Sequence, residues 1–351
     1  MNIVEKVRRR AWGYASVGLY RMHSQWAVPS ALGLALSHRC NIRCPYCMRE
    51  QFKPEPGVMT LEKVKGLIKR MPYISGVCVM GLCEPFLNPE TPDILRYIGD
   101  EAGLSISFTT NGMVELTEDR LDALTRVGDF VFSIDSPDPD TFNILRGGAD
   151  LEKVMANLER LLKFKREHGL GKADNPPIHV NAVITERNYT QIPDLIRMLE
   201  PYADQLTYLM VDPVSRPDFQ SFEEPLMVRR DLFDAHIAEY RAFAKASPLQ
   251  VVGFDYMFEG STEWASCTMS WDGMFVHANG DAYYCYDYTY LLGNVFDRGP
   301  LRVWNSKAAR DFRKRLQTSD PPLEQCRTCN FARKGWQTEG VYDQGKQDVI
   351  T

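Results

Sequence analysis

Between residues 32 and 212 short apolar runs alternate with longer stretches whose apolar positions recur at helical spacing. The runs at 32–36, 76–80, 104–109, 130–134, 178–184 and 205–211 read as strands. Helices are expected at 61–69, 89–99, 117–127, 138–145, 151–167 and 191–200. Thr60 and Thr117 stand where a helix takes its N-cap, and Pro89 sits near a helix start. Strands that alternate with helices of this length imply right-handed βαβ units and a parallel sheet. Six such strands are too few to close an eight-stranded barrel. The fold class expected is therefore α/β, a partial (β/α)6 TIM-like barrel followed by a smaller C-terminal module.

The pattern changes after residue 212. Pro213, Pro217 and Pro225 punctuate a polar stretch that reads as a linker or lid, with Arg216 and Asp218 in it, and a helix is expected at 230–245. From about residue 255 the chain turns aromatic. Runs at 274–277 and 282–285 flank Asn279-Gly280-Asp281, a hairpin signal, and 300–316 reads as one helix. The expected organisation is an N-terminal segment 1–31, the barrel 32–212, a linker and helix 213–254, a C-terminal module 255–335 and a polar tail 336–351. In the first segment Val4, Val7, Ala11 and Ala15 share a helical face. That face would pack on the next domain, or lie on anionic lipid through Arg8–Arg10 and Arg21.

Composition narrows the function. The 351 residues carry 41 Lys+Arg and 46 Asp+Glu, a net charge of −5, so wrapping nucleic acid through phosphates is not expected. The longest apolar runs, 77–80 and 31–36, are far short of the ~20 residues of a spanning helix. Nine cysteines in so long a chain suit thiolate ligation better than disulfide staples, which implies a reducing, cytoplasmic setting.

Cys40, Cys44 and Cys47 form a Cys-x3-Cys-x2-Cys array just past the first strand. Three thiolates cannot complete a tetrahedral zinc site without a fourth ligand. They suit a cubane iron–sulfur cluster with one iron left open. The loop also sits at the carboxyl end of a strand, where ligands of parallel α/β folds gather. Cys267, Cys285, Cys326 and Cys329 form a second set, the last two as a Cys-x2-Cys clip. Four thiolates can enclose either zinc or an iron–sulfur cluster, so the donor set alone leaves that metal open.

The first array, with Tyr46 before its third cysteine, resembles the signature of the radical S-adenosylmethionine (radical SAM) superfamily. Further resemblances follow in chain order. Gly81-Leu82-Cys83-Glu84-Pro85 is similar to the family's Gly-x-Gly-Glu-Pro motif, Thr109-Thr110-Asn111-Gly112 to its third-strand Thr-Asn-Gly, and Ser133-Ile134-Asp135-Ser136 to its fourth-strand Ser-x-Asp. The resemblance implies SAM chelated at the open iron and cleaved by one electron to a 5′-deoxyadenosyl radical. It implies cofactor contacts by Tyr46, Cys83, Glu84, Pro85, Asn111, Ser133, Asp135, Arg146 and Asn181, and an external electron donor such as flavodoxin or ferredoxin. The segment from Cys267 to Cys329 resembles the twitch and reduced SPASM extensions of the family, which implies one auxiliary 4Fe–4S cluster beside the SAM-binding one.

Two thiols are left over. Cys78 reads as a small buried hydrophobe. Cys83 replaces the family's second glycine at the mouth of the site; it is either a tolerated substitution or a donor that returns a hydrogen atom to a substrate radical. The expected substrate is a small polar molecule derived from a sugar, nucleoside or cyclitol, to be dehydrogenated, epimerised or decarboxylated. A peptide-modifying maturase and a zinc-bound scaffold are the alternatives.

Overall fold

The computed structural model describes residues 26–53, 55–168, 177–213, 235–253, 267, 269–285, 290–316 and 326. The expected N-terminal helix, most of the expected linker with Arg216 and Asp218, Cys329 and the expected tail therefore lie outside the described residues. Ten strands form one sheet. They are β1 (Ala31–Leu34), β2 (Gly76–Val79), β3 (Ser105–Thr110), β4 (Asp129–Ser133), β5 (Ile178–Ile184), β6 (Tyr208–Pro213), β7 (Val251–Val252), β8 (Gly273–Val276), β9 (Asp281–Tyr283) and β10 (Leu291–Asn294). Their order is β10-β9-β8-β1-β2-β3-β4-β5-β6-β7. Strands β1 to β7 run parallel, as the six-strand reading expects, with the two-residue β7 added beyond β6. The fold is the partial TIM-like barrel of the α/β class.

Alternation along the strands sorts the two faces. Leu32, Leu34, Val77, Val79, Ile106, Phe108, Phe130, Phe132, Val180 and Leu209 enter the main core beneath the helices. The residues between them fall on the opposite, inner face. Of the helices, α1 (Arg49–Phe52), α2 (Leu61–Lys69), α3 (Thr91–Arg96), α4 (Glu118–Leu124), α5 (Pro139–Leu145) and α6 (Leu151–Glu167) lie between β1 and β5. Side-chain oxygens of Thr60, Thr117, Asp138 and Asp150 cap four of them. The helix expected at 89–99 is α only over Thr91–Arg96 and continues as a π turn, Tyr97–Glu101.

The C-terminal segment joins the barrel's sheet. Strand β8 pairs in parallel with β1, and β9 and β10 follow antiparallel. Gly33 of β1 makes room for this, because a Cβ there would lie 2.3 Å from the Phe275 ring. The hairpin turns at Gly280, whose φ is +96°. The helix expected over 300–316 is broken in two, Pro300–Trp304 and Lys307–Leu316. The break has a tertiary cause: the Asn305 side chain leaves the helix to bond both backbone groups of Ala27, at 3.0 and 2.9 Å.

Candidate functional site

The first thiol loop leaves the C-terminal end of β1. The loop amide of Cys47 closes a turn on the Cys44 carbonyl at 3.0 Å. Cys44 is buried, and Cys40 and Cys47 are half-buried. Cys44 feels the charges of Cys40 and Cys47, and Cys40 that of Cys47. Burial pushes the Cys44 thiol up to about 12, against the Arg146 guanidinium, which pulls it down. Burial likewise raises the Cys40 thiol, so metal binding at these two thiols releases protons. Among the described residues no three Cys, His, Asp or Glu converge as ligands of a single ion. The three thiols of the loop are the donor set of a cubane with one open iron.

The expected cofactor contacts fall into two groups. Ser133, the last residue of β4, and Asn181, midway along β5, are register partners on the inner face. Both are half-buried, and neither side chain has a partner among the described residues. Arg146 is 7% exposed and its buried Nε is also unpartnered. Gly148 (φ +94°) leaves open space where a Cβ would be. Ser133, Asn181 and Arg146 form a polar rim whose Arg146 Nε is itself buried.

The other candidates are turned to the chain itself. Glu84 is fully buried, and its carboxylate accepts from the Phe86 amide at 3.1 Å, the Asn111 amide at 2.9 Å and the Thr110 hydroxyl at 3.0 Å. Burial raises it to about 7 in spite of those donors. It braces the loop after β2 against the end of β3. Asn111 extends that brace: its amide nitrogen lies 2.8 Å from Asn41 Oδ1 and 3.6 Å from Cys40 Sγ. Pro85 opens the 3-10 turn Pro85–Leu87. The half-buried Cys83 takes backbone hydrogen bonds from Ser37 and Leu36, and burial pushes its thiol up to about 12.

Asp135 is 1% exposed. Its carboxylate accepts from Arg146 Nη2 at 2.6 Å, the Val183 amide at 2.8 Å and the Tyr46 hydroxyl. Burial pulls the Arg146 guanidinium down, but the charge of its partners outweighs that and keeps it protonated.

Of the second set, Cys267 feels the charges of Cys285 and Cys326, and the amides of Met269 and Ser270 bond to the Cys267 sulfur. Beside this set, alternation sends Tyr283 and Tyr284 of the aromatic segment to opposite faces. Tyr284 stacks on Phe312 at 4.5 Å and donates to the Ala309 carbonyl in the core. Tyr283 instead meets Phe52 edge-on at 5.3 Å. It belongs to a small apolar cluster with Leu82 and Phe275, against which Cys47, Met48 and Met80 pack.

A polar belt on the inner face was not anticipated. Ser107 donates to Asp129 Oδ2 at 2.9 Å, Asp129 Oδ1 pairs with His179 Nε2, and His179 stacks on Tyr208 at 3.9 Å. Cys78, read as a core residue, hydrogen-bonds Ser107 there, because alternation gives the helix side to Val77 and Val79.

Comparison with known proteins is consistent with this geometry. Residues 34–176 match the radical SAM superfamily, and residues 267–330 match the SPASM iron–sulfur cluster-binding domain. A tungsten-containing aldehyde ferredoxin oxidoreductase cofactor-modifying protein of Pyrococcus furiosus is 31% identical over 173 residues, 48% of this chain and 47% of the relative. A GTP 3′,8-cyclase of Synechococcus elongatus is 30% identical over 177 residues, 48% of this chain and 50% of the relative. The chain spans about half the length of these curated relatives. Among solved structures, Streptococcus suis SuiB bound to precursor peptide SuiA superposes with a TM-score of 0.65 at 15% identity, covering 91% of this chain and 73% of that one. That likeness is one of fold.

Proposed function

The chain belongs to the radical SAM superfamily, with a C-terminal SPASM iron–sulfur domain, and from that premise we propose an enzyme that acts on a small polar substrate. The substrate class is derived from a sugar, nucleoside or cyclitol, and the outcome is dehydrogenation, epimerisation or decarboxylation. The cofactors are SAM and 4Fe–4S clusters, one held by Cys40, Cys44 and Cys47, and one auxiliary cluster held by Cys267, Cys285, Cys326 and Cys329. When bound, SAM and the first cluster supply a hydrogen-abstracting radical by one-electron cleavage of the S–C5′ bond.

The observation that carries this reading is the three-thiol loop at the C-terminal end of β1, beside a rim of unpartnered polar groups. Ser133 and Asn181 offer neutral hydrogen bonds to a hydroxylated ligand. Arg146, ionised and buried, offers Nε–H to a carboxylate. Glu84 and Asn111 hold the rim's shape. The buried Cys83 thiol stays protonated at neutral pH. That is the state a hydrogen donor needs, and turnover undiminished in Cys83→Ala removes it from the reaction.

Support for a small substrate comes from two relatives near 30% identity, a cofactor-modifying protein and a GTP 3′,8-cyclase. An electron donor such as flavodoxin or ferredoxin, and a cytoplasmic setting, go with this reading. Among the described residues no helix is long and apolar enough to cross a membrane. The test is anaerobic incubation of the reduced protein with SAM and deuterated nucleosides, sugars or cyclitols. Deuterium in 5′-deoxyadenosine supports the reading. Deuterium transfer only from a peptide substitutes the maturase alternative.

A further inference from the structure

We propose that Asp135 is a positioning residue for the cluster loop, not a contact of SAM, and that with Tyr46 it clasps the loop on both sides of Cys44. The inference deepens the reading above and rests on it. The Asp135 carboxylate takes three donors from three different elements: Tyr46 on the thiol loop, Arg146 at the end of α5 and the Val183 amide on β5. Its backbone carbonyl takes a fourth, from Asn188 Nδ2 at 2.6 Å. A buried carboxylate so filled has no accessible edge for a ribose or a methionine group.

The donors meet the loop at telling positions. Tyr46 stands between Cys44 and Cys47. On the other side of Cys44, the Arg43 amide donates to the Gly147 carbonyl at 3.1 Å. Gly147 follows Arg146, so both anchors reach the same turn. The Tyr46 ring lies under the Arg146 guanidinium, 5.8 Å from its centroid. Strands β4 and β5 and the turn after α5 thus converge on the stretch that carries the second and third thiols. Outer partners of this kind orient metal ligands, and their loss typically costs roughly 10–100-fold in metal affinity.

Tyr46→Phe removes one hydroxyl and keeps the ring, and Asp135→Asn keeps the shape and removes the charge. Each is reconstituted anaerobically beside the wild type. The readouts are iron and sulfide per chain, the rate of iron loss to a chelator, the EPR signal of the reduced cluster before SAM, and SAM affinity. The clasp predicts that Tyr46→Phe loses iron about tenfold faster and shifts the SAM-free EPR signal. It predicts little further loss in the double variant, and near-wild-type SAM affinity in the loaded fraction. Normal iron retention and EPR signal with weakened SAM binding would make Asp135 a cofactor contact and overturn the proposal, as would no change in any readout. If Asp135→Asn does not fold, Tyr46→Phe decides alone. A wild-type chain that takes up no iron overturns the family reading, and the clasp with it.

Discussion

Gly147→Ala tests how tightly the thiol loop is held. The Cβ would lie 1.9 Å from the Arg43 carbonyl oxygen and 2.1 Å from its carbon. Both atoms are backbone, so no rotamer change relieves the contact, and the loop beside Cys44 must retreat by roughly 1 Å. At φ +53° alanine also carries about 1 kcal/mol of left-handed strain. Loss of the Arg43–Gly147 hydrogen bond adds about 1 kcal/mol. Together these disfavour the observed loop by about 2–3 kcal/mol, a 30- to 150-fold shift at about 1.4 kcal/mol per decade. Gly148→Ala is the control, since its φ is +94° but its Cβ meets nothing within 4 Å. The assay is iron and sulfide content after anaerobic reconstitution, together with the melting temperature of the apo chain. Gly147→Ala should load poorly, and Gly148→Ala should load far better. Equal loading of the two variants would refute the argument that the Arg43–Gly147 approach shapes the site.

Other consequences follow from the same geometry. Glu84 is raised from 4.5 to about 7, so the folded chain holds its proton where the unfolded chain has lost it. Its contribution to stability is therefore greatest below pH 4.5 and falls by about 3 kcal/mol as pH rises to 7. Glu84→Gln should flatten that part of the melting profile, and parallel profiles for the two proteins would contradict it. Gly33→Ala should lower apo-chain stability by about 1–3 kcal/mol through the clash with Phe275, and Phe275→Leu should restore part of it in denaturant melts. Cys267→Ala should remove about four irons per chain and leave the SAM-responsive EPR signal, whereas loss of both signals would tie the two thiol sets into one site.

The sequence made visible whatever is local. Apolar runs placed the parallel strands, and the spacing of Cys40, Cys44 and Cys47 marked the three-thiol loop that follows β1. Long-range contacts were beyond it. No pattern at Asn305 announces that its side chain bonds Ala27 and splits a helix. The pairing of β8 with β1 depends on a ring from one strand filling the place of a missing side chain on another. The polar belt was hidden because Asp129 and His179 sit in strands that read as apolar runs, and only register brings them together. Motif resemblance named Glu84 and Asp135 without their direction. A buried carboxylate turns to whichever donors are nearest, and here those belong to the chain.

The most direct test is SAM cleavage by the reduced, reconstituted protein, compared with a Cys40→Ala/Cys44→Ala/Cys47→Ala variant. The account predicts methionine and 5′-deoxyadenosine from the wild type, none from the triple variant, and about four fewer irons and four fewer sulfides in the variant. Equal iron and sulfide in the two proteins, or 5′-deoxyadenosine formed without the three thiols, would contradict it.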